Sequence, residues 1–305
     1  MISPKTVLSV LAIAIALPLL GVLVASAVFS WRASQWEDRV TRTEAGVLTF
    51  AEPFEKGPED AQTAFLLVHG FADTPDVWQP LAGVMAERGF RVRAMRLPGW
   101  GEPMQEKRQT GLADWEKAII EEAAVLRDQY ESFYIVGHSL GGGLVAKLAG
   151  EGRLEAEGII LYAPLFDITS VRSPILPVRA WYNLGRVILP GGMTLENIYG
   201  DHALVAEPRP PEKRDPFFPR RYLNDLYQLV DYHATHDFSS EIPVHLVLPG
   251  EDAVVENEAA EHWLDRVPGH LRTLRRVEEA GHVVPLEFEP EEELERLHEW
   301  TESQP

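Results

Sequence analysis

Ser139 stands in Gly137-His138-Ser139-Leu140-Gly141, directly after the apolar run Phe133-Tyr134-Ile135-Val136 and before a helix-forming stretch from Leu140 to Ala149. Strand, Gly-x-Ser-x-Gly turn and helix together make the sharp bend that lifts a serine hydroxyl above the carboxyl edge of a sheet. The chain doubles back at the serine, so its neighbours must be small. The N–H of Leu140 opens the helix and is available to an anion, because the first N–H groups of a helix have no intrahelical partner. A serine hydroxyl is a weak nucleophile at neutral pH. It needs a base within hydrogen-bond reach and a third group to orient that base.

His282 is the expected base. It follows the last strand-like run, in Ala280-Gly281-His282-Val283-Val284-Pro285. Asp252 is the expected acid, in Gly250-Glu251-Asp252-Ala253-Val254-Val255, after the preceding run Val244 to Leu248. Glu251 beside it and Asp167, which follows Tyr162-Ala163-Pro164-Leu165-Phe166, are its rivals. Negative charge develops on the carbonyl oxygen during acyl transfer, and a second N–H donor should face that of Leu140. Val68-His69-Gly70-Phe71 closes another apolar strand, and the N–H of Phe71 is the expected donor, with His69 fixing the loop by hydrogen bonding. His233 and His236, with Asp231 and Asp237, have a spacing that occurs often by chance and read as a helix or loop surface rather than a metal site.

These residues need a scaffold that gathers several strand ends on one side. The chain supplies continuous apolar strands alternating with amphipathic helices, the pattern of a mostly parallel sheet covered on both faces. Strands are expected at 64–68, 92–95, 133–136, 159–162, 244–248 and, with more charge, 271–277. Gly46 to Phe50 reads as an edge strand and Pro53 to Gln62 as a loop. Leu112, Trp115, Ile119, Ala123, Leu126 and Tyr130 recur at helical spacing. One stretch, 165–241, is far longer than a crossover needs. It carries Trp181, Tyr182, Tyr199, Phe217, Phe218, Tyr222 and Tyr227, and reads as a cap inserted over the carboxyl edge of the sheet. Its aromatics serve either its own core or an acyl-chain pocket.

The chain has no cysteine, which excludes disulfides, thiolate metal sites and a cysteine nucleophile. Its net charge of −19 excludes nucleic acid as a natural partner. A mildly basic island, eight basic against five acidic residues between Arg172 and Arg221, interrupts this acidity. Val7 to Phe29 is an uncharged apolar run of 23 residues. At the helical rise it spans about 34 Å, enough to cross a bilayer core. The length favours a single-pass anchor, while Ala25-Ser26-Ala27 would suit cleavage of a signal segment and export. The expected organisation is therefore an anchor or signal segment over 1–30, a polar linker over 31–45 and a catalytic domain over 46–305.

Leu67-Val68-His69-Gly70-Phe71, Arg96-Leu97-Pro98-Gly99-Trp100-Gly101, Gly137-His138-Ser139-Leu140-Gly141-Gly142, Asp252-Ala253-Val254-Val255 and Gly281-His282 resemble the α/β-hydrolase superfamily. The likeness is to bacterial esterases and monoacylglycerol-lipase-like carboxylesterases in particular. It implies an α/β fold with an eight-stranded sheet, no cofactor, and hydrolysis of carboxylic esters through an acyl-enzyme. Under it Ser139 is nucleophile, Asp252 acid, His282 base, and Phe71 with Leu140 the oxyanion hole. Trp100 stands where many relatives carry histidine, and one residue separates Gly250 from Asp252 where relatives often have two. The substrate implied is a small or lipid-like acyl ester, met at a membrane through the N-terminal helix. An acyltransferase or thioesterase would use the same three side chains.

Overall fold

The computed structural model describes residues 4–171, 173, 175–185, 192–194 and 215–303. It forms an α/β fold. In chain order the strands are β1 (Phe54–Lys56), β2 (Thr63–Val68), β3 (Arg91–Met95), β4 (Ser132–His138), β5 (Gly158–Tyr162), β6 (Gly192–Thr194), β7 (Phe217–Pro219), β8 (Val244–Pro249) and β9 (Arg272–Val277). The helices are α1 (Pro4–Glu37), α2 (Gln79–Glu87), α3 (Met104–Lys107), α4 (Leu112–Gln129), α5 (Leu140–Gly150), α6 (Val178–Gly185), α7 (Arg221–Thr235), α8 (Asn257–Leu264) and α9 (Pro290–Glu302).

The main sheet has the order β1-β3-β2-β4-β5-β8-β9, parallel except for β1. Its centre is buried on both faces. Every residue from Phe133 to His138 is buried, as is all of β5 and β8. Continuous apolar strands demand that cover. Helices α4, α5 and α7 pack together as one group and α2 with α9 as another. The margin at β9 mixes half-buried and exposed residues, which suits an edge strand with three arginines. In register, Val68 lies beside Gly137 and His138 beside Tyr162, so β2, β4 and β5 end together.

Two local expectations are corrected. The run Gly46–Phe50 makes only an isolated bridge between Arg42 and Leu48 before a tight turn at Thr49–Ala51. Gly46 takes a left-handed φ of 77°, and Arg42 holds the carbonyls of Gly46 and Gly101, which fixes a compact corner instead of a strand. The edge strand is β1, within the stretch expected to be a loop. The described main sheet thus has seven strands beside the eight implied by the resemblance. The second correction concerns the linker: α1 continues as helix to Glu37, past residue 30. Phe29, Ala33 and Trp36 recur at four and three residues, one helical face, and that face packs on Met104 and Phe217. Ile15–Glu37 includes an apolar segment long enough to cross a membrane, and its leucine and isoleucine side chains, with Val24 and Val28, are exposed.

Between β5 and β8 the described residues are α6, the two-stranded β6–β7 ladder and α7. Tyr199 and the basic residues Arg172, Arg186, Arg209, Lys213 and Arg214 lie outside the described residues.

Candidate active site

The turn at Ser139 is built from close approaches. Ser139 has φ 52° and ψ −115°, a strained conformation for a residue with a side chain. Its N–H donates to Tyr162 O at 3.0 Å, and its own carbonyl accepts from Leu165 N at 2.9 Å and Gly143 N at 3.0 Å. The bend is thus tied to the end of β5. A Cβ at Gly141 would lie 2.5 Å from Val68 O and 2.6 Å from His69 O, so only glycine lets α5 meet the end of β2. Ser139 itself is 5% exposed.

The loop after β9 brings His282 to the serine. Its Nε2 lies 3.0 Å from Ser139 Oγ, and its Nδ1 lies 2.9 Å from Asp252 Oδ2. The Asp252 side chain is 1% exposed. Its other oxygen accepts from Val254 N at 2.7 Å and Val255 N at 2.9 Å. Burial alone would raise the Asp252 carboxyl. The His282 ring and the two backbone donors outweigh it and hold the group below the usual carboxylate range. The three side chains form one line from the core of the β8–β9 margin to the serine oxygen.

The rivals for the acid lie elsewhere. Asp167 is exposed, and its carboxylate accepts from the neighbouring Ile168 N at 2.7 Å. Glu251 is exposed. Asp167 still shapes the site through its backbone, since its carbonyl accepts from Glu256 N at 3.0 Å just beyond the Asp252 turn.

His69 is fully buried and holds its loop as expected. Leu97 N donates to its Nε2 at 3.1 Å, which leaves the proton on Nδ1, 2.9 Å from Gly70 O. Gly70 touches the serine turn: a Cβ there would lie 2.9 Å from His138 Nδ1 and 3.1 Å from Ser139 Cβ. Phe71 follows, its ring set edge-on against Trp100 at 4.8 Å and Phe218 at 4.7 Å. Trp100, in the Pro-Gly-x-Gly loop, is wholly buried and touches Tyr222 at 5.0 Å. Phe218 and Tyr222 therefore pack onto the sheet domain, while Tyr182 and Tyr227 pair with each other at 4.4 Å.

Two positioning groups had no signal strong enough to single them out. His138 donates from Nε2 to His282 O at 2.9 Å and holds the backbone of His282. Burial, reinforced by the His282 ring, lowers its pKa to about 4, so it is neutral at pH 7. The Asp73 carboxylate 3.8 Å from its Nδ1 is accordingly not an ion-pair partner. Glu287 is buried and accepts from Gly281 N at 2.7 Å and Val283 N at 3.2 Å, on either side of His282. It sits in an acidic run whose other members are mostly surface residues, which hides it.

His233 is buried against Phe166, its Nε2 2.9 Å from Gly143 O, while Asp231 pairs with Arg179 and Asp237 lies 3.7 Å from Arg266. Among the described residues no group of three His, Asp or Glu side chains is arranged to hold a metal. A cleft of about 710 Å³ lined by Arg127, Ser132 and Tyr134 lies at the opposite end of β4 from Ser139.

Residues 59–290 match the family model Hydrolase_4, described as serine aminopeptidase, S33. A thermostable monoacylglycerol lipase of Bacillus sp. (strain H-257) is 35% identical over 127 residues, 41% of this chain and 49% of that protein. The matched stretch thus spans about half the length of that relative. A carboxylesterase of Bacillus subtilis (strain 168) is 26% identical over 242 residues, 78% of this chain and 92% of that one. Among solved structures, a soluble variant of monoglyceride lipase from Saccharomyces cerevisiae superimposes with a TM-score of 0.70 at 16% identity, covering 83% of this chain and 91% of that chain.

Proposed function

This chain belongs to the Hydrolase_4 family, and on that premise we propose that it is a serine hydrolase that cleaves carboxylic esters through an acyl-enzyme on Ser139. The observation that carries the reading is the unbroken line Asp252–His282–Ser139, with contacts of 2.9 and 3.0 Å. His282 Nε2 takes the serine proton as Oγ attacks the ester carbonyl. Asp252 holds the ring with its proton on Nδ1 and stabilises the imidazolium that forms. The N–H groups of Leu140 and Phe71 bind the carbonyl oxygen as it becomes anionic. The tetrahedral adduct collapses, His282 gives its proton to the leaving alcohol, and Ser139 keeps the acyl group. Water then repeats the sequence, its proton passing through His282, and releases the acid with Ser139 restored.

The substrate in this reading is a lipid-like acyl ester. Phe71, half-buried beside the serine turn and backed by the buried rings of Trp100 and Phe218, offers an apolar surface to an acyl chain. In this reading the described part of the segment 165–241, with α6, β7 and α7, serves as the cap. Val171, Ile175, Leu176 and Trp181, exposed on that segment, suit contact with lipid. In this reading α1 crosses the membrane once and stays uncleaved.

Acyl esters from acetyl to palmitoyl, including monoacylglycerols, test the reading with wild-type protein and Ser139→Ala. Hydrolysis that disappears with the serine, together with fluorophosphonate labelling of Ser139 only, is expected. Turnover of an aminoacyl anilide or a thioester with none of any oxygen ester would replace it. Transfer of the acyl group to glycerol in preference to water would make the protein an acyltransferase. Carbonate washing should leave the full-length chain in the membrane pellet. A soluble product beginning near Val28 would show cleavage instead.

A further inference from the structure

We propose that α1 is a rigid strut that fixes the oxyanion side of the site at the bilayer surface, so that the protein takes its ester from the same membrane that α1 crosses. This deepens the reading above and rests on it.

The helix changes character along its length. From Ile13 to Val28 its described apolar residues are mostly exposed, with Leu23 at 67%. Trp31 is 64% exposed just past the apolar run, the place where an aromatic ring meets the headgroups. Phe29, Ala33 and Trp36 then turn one face inward and are buried or half-buried against Met104 and Phe217. Trp36 lies five positions beyond Trp31, about 8 Å at the helical rise, so the domain begins within the headgroup zone.

The contact is specific in its polar groups as well. Glu37 Oε1 accepts from Met104 N at 2.8 Å, at the first turn of α3. The Phe29 and Trp36 rings each lie 5.8 Å from the Phe217 ring. Beneath them Lys107 bonds Asp215 and Phe217 O, with Trp36 5.8 Å from its ammonium. Asp215 also accepts from Gly101 N at 2.7 Å. Lys107 and Asp215 are 1% and 0% exposed. A wholly buried ion pair is costly to desolvate and breaks at a large penalty, so it specifies a single position for β7 against α3.

That position reaches the chemistry in one step. Adjacent residues of a strand point to opposite sides. Phe217 meets α1, and Phe218 meets the Phe71 ring at 4.7 Å. Phe71 carries an oxyanion donor in the proposed mechanism. A helix that crosses the bilayer is thereby joined through β7 to the Phe71 loop, and a tether with free rotation would not need this seam.

The test uses the full chain reconstituted in phosphatidylcholine vesicles. One fluorogenic long-chain monoacyl ester is placed either in the same vesicles or in separate ones, and a short soluble ester serves as control. Confinement to one surface raises effective concentration, so wild type should favour its own vesicles by about tenfold or more. Phe29→Ala with Trp36→Ala should cut that preference to about threefold or less, with soluble-ester turnover within about twofold of wild type. Ala33→Glu, which puts a charge into the same face, is the second variant, and both are compared at matched thermal midpoints. An unchanged preference in folded variants, or an equal fall on both esters, overturns the strut. Absence of ester hydrolysis by wild type overturns the function beneath it, and release of wild type by carbonate overturns the anchor.

Discussion

Replacing Asp252 by Asn separates the chemistry of this side chain from its architecture. In the structure Oδ1 faces two backbone donors, Val254 N and Val255 N, while Oδ2 faces His282 Nδ1. Asn can keep its carbonyl oxygen on the two backbone N–H groups, so the turn survives. Its NH₂ group then points at His282 Nδ1 and forces the ring to accept there. The ring proton moves to Nε2, the nitrogen 3.0 Å from Ser139 Oγ, which then donates to the serine instead of taking its proton. The same swap in a serine protease with this relay lowers turnover about 10⁴-fold. That is about 5.5 kcal/mol of transition-state stabilisation, and a similar loss is expected here. Because the group touches no substrate, KM should move little. The assay is steady-state hydrolysis of a short acyl ester by Asp252→Asn, Asp167→Asn and Glu251→Gln, each checked by its thermal midpoint. The two rivals should retain at least about half of wild-type turnover, since neither is placed on the histidine. Asp252→Asn keeping more than about a tenth of wild-type turnover would refute the reasoning, as would Asp167→Asn losing as much as Asp252→Asn.

Three further outcomes follow from the same geometry. Burial lowers the pKa of His138 to about 4, His233 to about 3 and His245 to about 4. Below about pH 6.5 the unfolded chain takes up protons that the folded chain refuses, so stability falls with pH by about 1.4 kcal/mol per unit for each histidine down to its folded pKa. Thermal midpoints in detergent from pH 7.5 to 4.5 should show that slope, and His245→Asn should reduce it by about a third; a flat profile would contradict it. Lys107→Met leaves the Asp215 carboxylate buried without its cation and should cost about 3–5 kcal/mol, whereas Lys107→Met with Asp215→Asn should recover much of the loss in the same melting assay. Gly70→Ala would set a Cβ 2.9 Å from His138 Nδ1 and push the loop outward. Loss of one oxyanion donor should then lower turnover by about 10²-fold with a small change in KM.

Chemistry with a local grammar was legible in the sequence. The strand, the Gly-x-Ser-x-Gly turn and the helix announce Ser139 because close backbone packing tolerates few residues there. Histidine and aspartate after the last two strands follow from the need to gather side chains at one sheet edge. Groups that act through distant backbone were not legible. Glu287 clasps the His282 loop through two N–H groups, yet its neighbours Glu289 and Glu291 to Glu293 share its residue type without that contact. His138 fills the variable position of the motif, and only the fold shows that it reaches His282 O. The 29, 33, 36 stripe in α1 is readable as helical spacing, but the long apolar run before it draws attention to lipid and away from packing. The tight corner at Gly46 defeated the strand expectation because one left-handed residue outweighed the apolar Val47, Leu48 and Phe50.

Ser139 is seated at the middle of the sheet, whereas its two partners hang from β8 and β9 at one border. Among the described residues β9 is paired only with β8, and none of its residues is fully buried. Fraying from that border would disconnect the relay while β2, β4 and β5 stay intact. Heat inactivation should therefore precede the loss of secondary structure, with amide exchange at 272–277 rising in step with inactivation. Stitching the fringe down, for instance by strengthening the Arg276–Glu261 contact between β9 and α8, would raise the working temperature while leaving the interior untouched.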